Sequence, residues 1–176
     1  NTATGRRRTS MSLGEDSGSA LGYQTARGKD YPSIRQFTVF LENRVGQLLE
    51  VLRRFKGSRV RIIALNIHDS TECCIVRFVL THPEQGREIF ERAGLAMIES
   101  DLIALELPVE EDQPMLQVCS ALLQGEINLV QTYPLMLPLT GRTAVALMVD
   151  NLDAAQETLA ARGFKMLSEQ ELSEMG

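Results

Sequence analysis

The feature that most restricts the fold of this 176-residue chain is an internal repeat. Residues 76–80 and the helical pattern that ends at Gly94 align without a gap with residues 145–149 and the pattern that ends at Gly163, 69 residues later. A second match, at a spacing of 67 residues, aligns the apolar stripes of two predicted helices: Leu48, Val51, Leu52 and Phe55 with Met115, Val118, Cys119 and Leu122. The chain therefore contains two copies of one structural unit.

Each copy is predicted to have the order strand, helix, strand, strand, helix, strand. Apolar residues alternate along the predicted strands and recur every three to four residues along the predicted helices, so each element can bury one face. This order is typical of the ferredoxin-like α+β fold, in which two helices cover one face of an antiparallel sheet. The predicted strands are residues 36–41, 60–69, 73–81, 95–98, 101–108, 127–133, 143–149 and 164–167.

We predict two ferredoxin-like repeats, residues 34–99 and residues 100–176, packed side by side as an antiparallel sheet with helices on one face. Glu99 and Ser100 form the only join between the copies, and so short a connection favours tight packing. One copy alone would be marginally stable and would leave edge strands unpaired. We therefore expect one continuous sheet of eight strands, with four helices on one side.

Residues 1–33 have the composition of a disordered tail, because they are rich in Gly, Ser, Thr and Arg and lack a hydrophobic period. They carry five basic and three acidic side chains, so the net charge of −5 leaves −7 on the remaining residues. An acidic globular part argues against nucleic acid as a partner. No apolar run approaches the roughly 18 residues of a membrane span.

The three cysteines, Cys73, Cys74 and Cys119, lack the spacing of metal ligands. We interpret them as reduced thiols in a cytoplasmic protein, since an odd count without such spacing gives no disulfide framework. Cys119 lies in an apolar stripe, so we expect it to be a small core residue. No metal and no cofactor is predicted.

The turn between the first strand and the first helix, residues 42–46, is the best candidate for chemistry. A helix N-terminus offers unpaired N–H groups and the positive end of a dipole, which suit a carboxylate. Gly46 allows close approach of a ligand to the backbone, and Asn43 can act as an N-cap or adopt a left-handed conformation. The alternative is that this segment is simply a capped turn without a ligand.

The repeat and its first turn together resemble a tandem pair of ACT domains. ACT domains are regulatory modules of amino-acid metabolism. Residues 42–52, ENRVGQLLEVL, are similar to the family's N-R-P-G-x-L-x-x-V-L signature. The resemblance extends from about Arg35 to Leu172. It implies a non-catalytic regulatory module that binds an amino acid, forms a homo-oligomer and has an amino-acid-biosynthetic enzyme as its partner. The regulatory subunit of acetohydroxyacid synthase is the example that this resemblance suggests.

The resemblance also implies which residues bind the amino acid. The ligand's carboxylate or backbone would meet Asn43, Arg44, Val45 and Gly46, with Leu48 as an apolar wall. Residues of the second strand of a neighbouring unit would close the side-chain pocket. Because these residues are apolar, the pocket would fit a branched or otherwise hydrophobic amino acid. These residues are Ile62 and Ile63 in the first copy and Ile127, Leu129 and Val130 in the second.

Two departures from the family pattern limit this expectation. Val45 stands where the family commonly has proline, so the turn lacks one rigid φ angle. The second copy has no glycine in the corresponding turn and instead places Glu110, Glu111 and Asp112 just before its helix. These acids suit capping of the helix and would repel a carboxylate. We therefore expect the amino-acid site on the first turn.

Two other classes of function compete with ligand sensing. The first is an oligomerisation or scaffold module, in which the turn is only structural. The second is a metalloenzyme, because residues 144–163 faintly resemble the vicinal-oxygen-chelate enzymes. The second copy contains no histidine, however, and such enzymes need His and Glu ligands in both of their modules.

Overall fold

A computed structural model of the chain describes residues 31–69, 73–108, 110–137 and 143–175. The tail predicted to be disordered therefore lies outside the described residues, apart from residues 31–33. Within that short segment, the backbone carbonyl of Pro32 accepts a hydrogen bond of 3.1 Å from Nε2 of Gln156. Pro32, just before the first repeat, thus contacts the second repeat through Gln156.

The elements follow the predicted order, with one helix added at the C-terminal end. The described ranges contain seven strands and five helices, which confirms the α+β class. In chain order they are β1 (Ile34–Glu42), α1 (Gln47–Arg53), β2 (Ile62–Asp69), β3 (Cys73–Leu80), α2 (Pro83–Arg92), β4 (Met97–Leu107), α3 (Pro114–Gln124), β5 (Leu129–Leu135), β6 (Thr143–Val149), α4 (Leu152–Ala161), β7 (Lys165–Leu167) and α5 (Glu169–Met175).

The two copies share strand β4, which corrects the prediction of eight strands. The predicted strands 95–98 and 101–108 and their join at Glu99 and Ser100 form this single strand. Its first half, from Met97 to Leu102, pairs with β1. Its second half pairs with β6 on one side and β7 on the other. All neighbouring strands are antiparallel, and the order along the sheet is β2-β3-β1-β4-β6-β5.

Each repeat packs its first two helices on one face of its own strands, because alternate strand residues are apolar. Val39 and Phe78 pack with Val51 and Phe90 in the first repeat, and α3 and α4 form the corresponding cluster in the second. A third cluster joins the helix-free faces of the two repeats. Met97 of β4 packs in the first-repeat cluster and Ile103 and Leu105 of β4 in the second, and alternate residues of one strand lie on the same face. Helices α1 to α4 thus cover one face of the sheet, as predicted. The third cluster contains Ile34, Ile63, Ala64, Val79, Leu102, Ala104, Tyr133, Leu135, Ala144, Ala146, Leu167 and Leu172.

Helix α5 is tied to the first repeat by Arg35. The guanidinium of Arg35 donates to both carboxylate oxygens of Glu169, at 2.8 and 2.9 Å, and its backbone N–H donates at 3.0 Å. A further bond of 2.6 Å reaches Glu84 at the start of α2. The hydrogen bonds to Glu169 raise the pKa of Arg35 above its ordinary value. This cluster therefore links β1, α2 and α5.

A comparison of the two repeats predicts the effect of adding a methyl group at Gly86. This buried glycine lies in α2, and a Cβ there would stand 2.1 Å from Cδ1 of Leu80. The corresponding residues 69 positions later are Ala155 and Val149, so repeat 2 has an alanine with a shorter strand residue. Overpacking typically costs about 1 to 3 kcal/mol, which exceeds the gain of up to about 1 kcal/mol from removing a helical glycine. Gly86→Ala should therefore destabilise the protein by about 1 to 2 kcal/mol.

Chemical denaturation of four proteins checks this prediction: the natural chain, Gly86→Ala, Leu80→Val and the double variant. The cost of Gly86→Ala should nearly vanish when Leu80 is already Val, because the smaller side chain leaves room for the methyl group. An equal cost in both backgrounds would show that Leu80 is not the residue that the methyl group displaces.

Candidate functional site

Gly46 forms the N-terminal boundary of α1 and adopts a left-handed conformation, with φ of 87° and ψ of −11°. The sequence left open whether Asn43 would be the N-cap, and the structure gives that position to Gly46, with no side chain capping the helix. Most residues are strained at this φ, so glycine is required by the backbone rather than by crowding. The open side of the turn is thereby kept free of a Cβ.

The backbone of this turn retains free donors. The N–H of Arg44 bonds to the carbonyl of Glu42 at 2.9 Å, and the N–H of Gln47 bonds to that of Arg44 at 3.3 Å. Within the described part of the chain, the N–H groups of Val45 and Gly46 have no hydrogen-bond partner. Two adjacent unpaired donors at the start of a helix suit an anionic oxygen.

The turn opens onto a cleft of about 340 Å³, which we call the first cleft. Its polar rim comes from residues 42–44 and Gln47, and its apolar wall comes mainly from one side of α1. Leu48 lies in this wall, as the sequence predicts, whereas Val45 does not line the cleft and is fully exposed. The lining residues are Leu41, Glu42, Asn43, Arg44, Gly46, Gln47, Leu48, Leu49, Leu52 and Cys74.

The rim of the first cleft carries both signs of charge. The guanidinium of Arg44 lies 3.2 Å from the carboxylate of Glu42 and 3.4 Å from that of Glu50. All three side chains are more than half exposed, so solvent weakens each pair. Glu50 does not line the cleft, so Glu42 and Arg44 give its rim one group of each sign. The Glu42 carboxylate suits the ammonium group of a zwitterion, while the backbone N–H groups are left for its carboxylate.

The second-strand residues predicted for the site do not lie in the first cleft. Ile62 and Ile63 line a separate cleft of about 340 Å³, together with Arg61, Met136 and Leu137. This cleft lies where the end of β5 meets β2, and there the N–H of Met136 donates to the carbonyl of Ile63 at 2.6 Å. Ile127 and Leu129 belong to the core beneath α3, and Val130 is exposed.

Sequence reasoning did not assign Leu49, Leu52 and Cys74 to the first cleft, although the helical pattern could have indicated the two leucines. Leu52 belongs to the same helical stripe as Leu48, and Leu49 stands beside it on α1. Cys74 faces Leu41 in the register of β1 with β3, so the two side chains are neighbours on the helix side of the sheet. Their spacing along the chain gave no sign of this contact.

A larger cleft of about 860 Å³ lies on the second repeat, and we call it the second cleft. It runs between the end of β4, helix α3 and the turn from α4 to β7. The acidic residues before α3 do not cap the helix, because Gln113 holds the N-cap position without a side-chain hydrogen bond. The lining residues are Glu106, Leu107, Pro108, Glu111, Leu116, Gln117, Ser120, Arg162, Gly163, Phe164 and Lys165.

The remaining candidates from the sequence can now be located. Cys73, Cys74 and Cys119 form no disulfide with one another, and Cys119 is exposed rather than buried, so its predicted place in the core is wrong. Among the described residues, no group of three or more His, Cys, Asp and Glu side chains is arranged to hold a metal ion. No helix in the described ranges is long and apolar enough to cross a membrane.

Comparison with known proteins places this geometry in a family. The model of the ACT domain pair family matches residues 32–176, whereas no curated protein sequence matches the chain. A solved structure of a protein from Bacteroides thetaiotaomicron superposes with a TM-score of 0.72 at 20% identity, over 81% of this chain and 96% of that one. The ligand-free regulatory subunit of aspartate kinase from Thermus thermophilus superposes with a TM-score of 0.52 at 10% identity, over 77% and 96%. Since the family model spans both repeats, the chain belongs to the ACT domain pair family of regulatory modules.

Proposed function

We propose that the protein senses a single apolar amino acid, which binds in the first cleft. The observation that carries this proposal is the N–H of Gly46, which has no hydrogen-bond partner among the described residues and lines the cleft beside its apolar wall. The unpartnered N–H of Val45 is its neighbour along the chain, just outside the lining. Family membership supports it, because ACT domains are regulatory modules of the amino-acid-binding kind. Residues 34–99 would form the sensing unit, and residues 100–176 would support it.

The chemistry of the first cleft matches the three parts of an apolar amino acid. The carboxylate would accept hydrogen bonds from the N–H groups of Val45 and Gly46, where the start of α1 adds a favourable dipole. The ammonium group would lie toward the carboxylate of Glu42. The side chain would pack against Leu48 and Leu52.

The size and lining of the first cleft favour a small aliphatic ligand. Its volume of about 340 Å³ lies at the lower end of the range for small-molecule sites. Leu41, Leu48, Leu52 and Cys74 offer branched and thiol surfaces but no buried charge for a polar side chain. A branched-chain amino acid meets these conditions best. Ile62 and Ile63 could take part only if a second molecule brought its β2 strand to this cleft.

We further propose that ligand binding regulates an enzyme of amino-acid biosynthesis, with acetohydroxyacid synthase as the first candidate, and that the chain acts as a homo-oligomer. Support for the enzyme class comes from family membership and from the similarity of the first turn to the ACT signature. The alternative remains a scaffold in which the turn binds nothing. Calorimetry with individual amino acids distinguishes the two, since a scaffold gives no binding heat with any of them.

Gly46→Asp should abolish or strongly weaken amino-acid binding with only a modest loss of stability. The substitution puts a Cβ into a backbone with φ of 87° and adds a negative charge beside the ligand carboxylate. A helix-end interaction is worth roughly 0.3 to 2 kcal/mol, and left-handed strain adds about 1 kcal/mol or more. The apolar face of α1 is unchanged, so folding should survive.

The matched control is Gln113→Asp, which changes the residue at the start of α3 in the second repeat. Because that turn already carries Glu110, Glu111 and Asp112, one more charge should leave amino-acid binding unchanged. Binding is measured by calorimetry and stability by thermal unfolding. Equal loss of binding in both variants, or undiminished binding by Gly46→Asp, would place the site elsewhere.

A further inference from the structure

The second cleft contains two charges that the described residues do not neutralise. The guanidinium of Arg162 donates a hydrogen bond to the side-chain carbonyl oxygen of Gln124, which is a neutral group. Among the described residues, no carboxylate lies within 4.0 Å of Arg162, and no cation lies within 4.0 Å of the Glu111 carboxylate. Arg162 and Glu111 thus line the same cleft without an oppositely charged partner among the described residues.

The other charged pair in the second cleft is already matched. The ammonium group of Lys165 lies 3.1 Å from the carboxylate of Glu106 and 3.9 Å from that of Glu171. Glu106 is only 23% exposed, so this pair forms part of the wall rather than a free binding group. A ligand would therefore find one available positive and one available negative group.

An apolar surface lies in the same cleft as these two groups. Leu107 is buried in the wall, Phe164 is half-buried, and Leu116 on α3 is 66% exposed. A leucine that exposes so much surface inside a cleft gains from being covered by an apolar group. The cleft holds about 860 Å³, compared with about 340 Å³ for the first cleft, so a single aliphatic amino acid would leave much of it empty.

We infer that the second cleft binds an amphipathic zwitterion larger than one aliphatic amino acid. Its carboxylate pairs with Arg162 and its ammonium group pairs with Glu111. Its carbon skeleton covers Leu116 and Phe164. Hydrophobic dipeptides with free termini have this chemistry. The inference is independent of amino-acid binding in the first cleft, because the two clefts share no residue.

Calorimetry on the full chain tests this inference with the dipeptide leucyl-leucine and two blocked forms of it. We expect the free dipeptide to bind, and we expect acetylation of its amine or amidation of its carboxylate to weaken binding by about fivefold each. An exposed ion pair is worth up to about 1 kcal/mol, which corresponds to this factor. The blocked peptides probe the natural protein, so this comparison does not depend on a variant's folding.

Two variants assign each charge of the ligand to its residue. Arg162→Gln should weaken binding of the free dipeptide by about fivefold but leave binding of the amidated form unchanged, because that form lacks the carboxylate. Glu111→Gln should behave in the same way toward the acetylated form. Asp112→Asn is the matched control, since Asp112 is the adjacent acid and does not line the cleft. It should leave all three affinities unchanged.

The first-cleft variant Gly46→Asp separates this site from the proposed function. It should leave dipeptide binding unchanged even though it removes amino-acid binding. The inference is overturned if the free dipeptide does not bind, if neither Arg162→Gln nor Glu111→Gln weakens its binding, or if Gly46→Asp abolishes it.

Discussion

Phe90→Ala should lower the free energy of unfolding by about 3 to 5 kcal/mol, the range observed for large aromatic truncations in cores. Phe90 on α2 is completely buried. Its ring centroid lies 5.6 Å from that of Phe37, 5.4 Å from that of Phe55 and 5.2 Å from that of Phe78. Truncation would therefore remove the one ring that contacts all three others and would leave a cavity between the helices and the sheet.

The second repeat supplies the control for this substitution. Leu159 occupies the position 69 residues after Phe90 and is also completely buried, in a cluster without a comparable group of rings. Phe90→Leu should accordingly cost clearly less than Phe90→Ala, because most of the apolar contact is retained. Chemical denaturation measures both. Similar losses for the two variants would show that the aromatic contacts, rather than the filled volume, stabilise this core.

Phe90→Ala should also affect both repeats in a single transition. Strand β4 belongs to both repeats, and the third core cluster joins their helix-free faces. One repeat therefore cannot unfold without exposing the apolar face of the other. Two separate transitions in the variant, seen by fluorescence and circular dichroism, would contradict this coupling.

Tyr133→Phe should cost about 1 to 3 kcal/mol, the penalty for leaving a buried acceptor without its donor. The hydroxyl of Tyr133 on β5 donates to Oε1 of Gln36 on β1, and both residues are buried. Nε2 of Gln36 in turn donates to the hydroxyl of Ser100 at 3.1 Å. This short chain of hydrogen bonds connects β5, β1 and β4 across the third core cluster. Loss of one hydroxyl would therefore leave the amide oxygen of Gln36 unpaired.

The control is the double variant Gln36→Met with Tyr133→Phe, in which both the donor and the acceptor are gone. Replacing both members of a buried pair with apolar groups of similar shape is often nearly neutral, so the double variant should be more stable than Tyr133→Phe. Denaturant unfolding of the two single variants and the double variant gives the coupling energy. Simple additivity of the two single costs would argue against the bond between Tyr133 and Gln36.

The same tyrosine gives the protein a predicted alkaline sensitivity. Burial raises the pKa of Tyr133 above its ordinary value of 10.0, so the folded state favours the neutral phenol. The stability that this residue contributes is complete below its unfolded pKa and is lost as the pH rises toward the folded pKa. Tyr133→Phe should remove this part of the alkaline loss. An unchanged alkaline profile would show that other groups govern it.

Sequence periodicity was enough to predict the repeat and the order of its elements. Helices α2 and α4 begin and end 69 residues apart, because Pro83 and Leu152, and the glycines that follow the helices, occupy equivalent positions. Gly94 and Gly163 have φ of 68° and 80°, the left-handed conformation that ends a helix and that glycine adopts without strain. Such signals are local, so they can be interpreted from neighbouring residues alone.

The residues of the candidate site were only partly predictable, and the reason is physical. Residues 42–48 are contiguous, so their turn and most of the first cleft follow from local sequence. Ile62 and Ile63 have the same apolar pattern as a ligand-facing strand, but they lie at the contact between β2 and β5. Periodicity shows that a strand has a buried face. It does not show what covers that face.

Tertiary pairing alone decided how the two copies are joined. Glu99 and Ser100 look like a connection because they are polar, yet each pairs with a residue of β1, Phe37 for Glu99 and Gln36 for Ser100. The ion pair of Arg35 with Glu169 joins residues 134 positions apart, so no local pattern could reveal it. Sequence by itself determined two units and their helical and strand faces, because these depend on neighbouring side chains. The shared strand and the packing of the two helix-free faces depend on contacts between distant residues, which exist only in the folded chain.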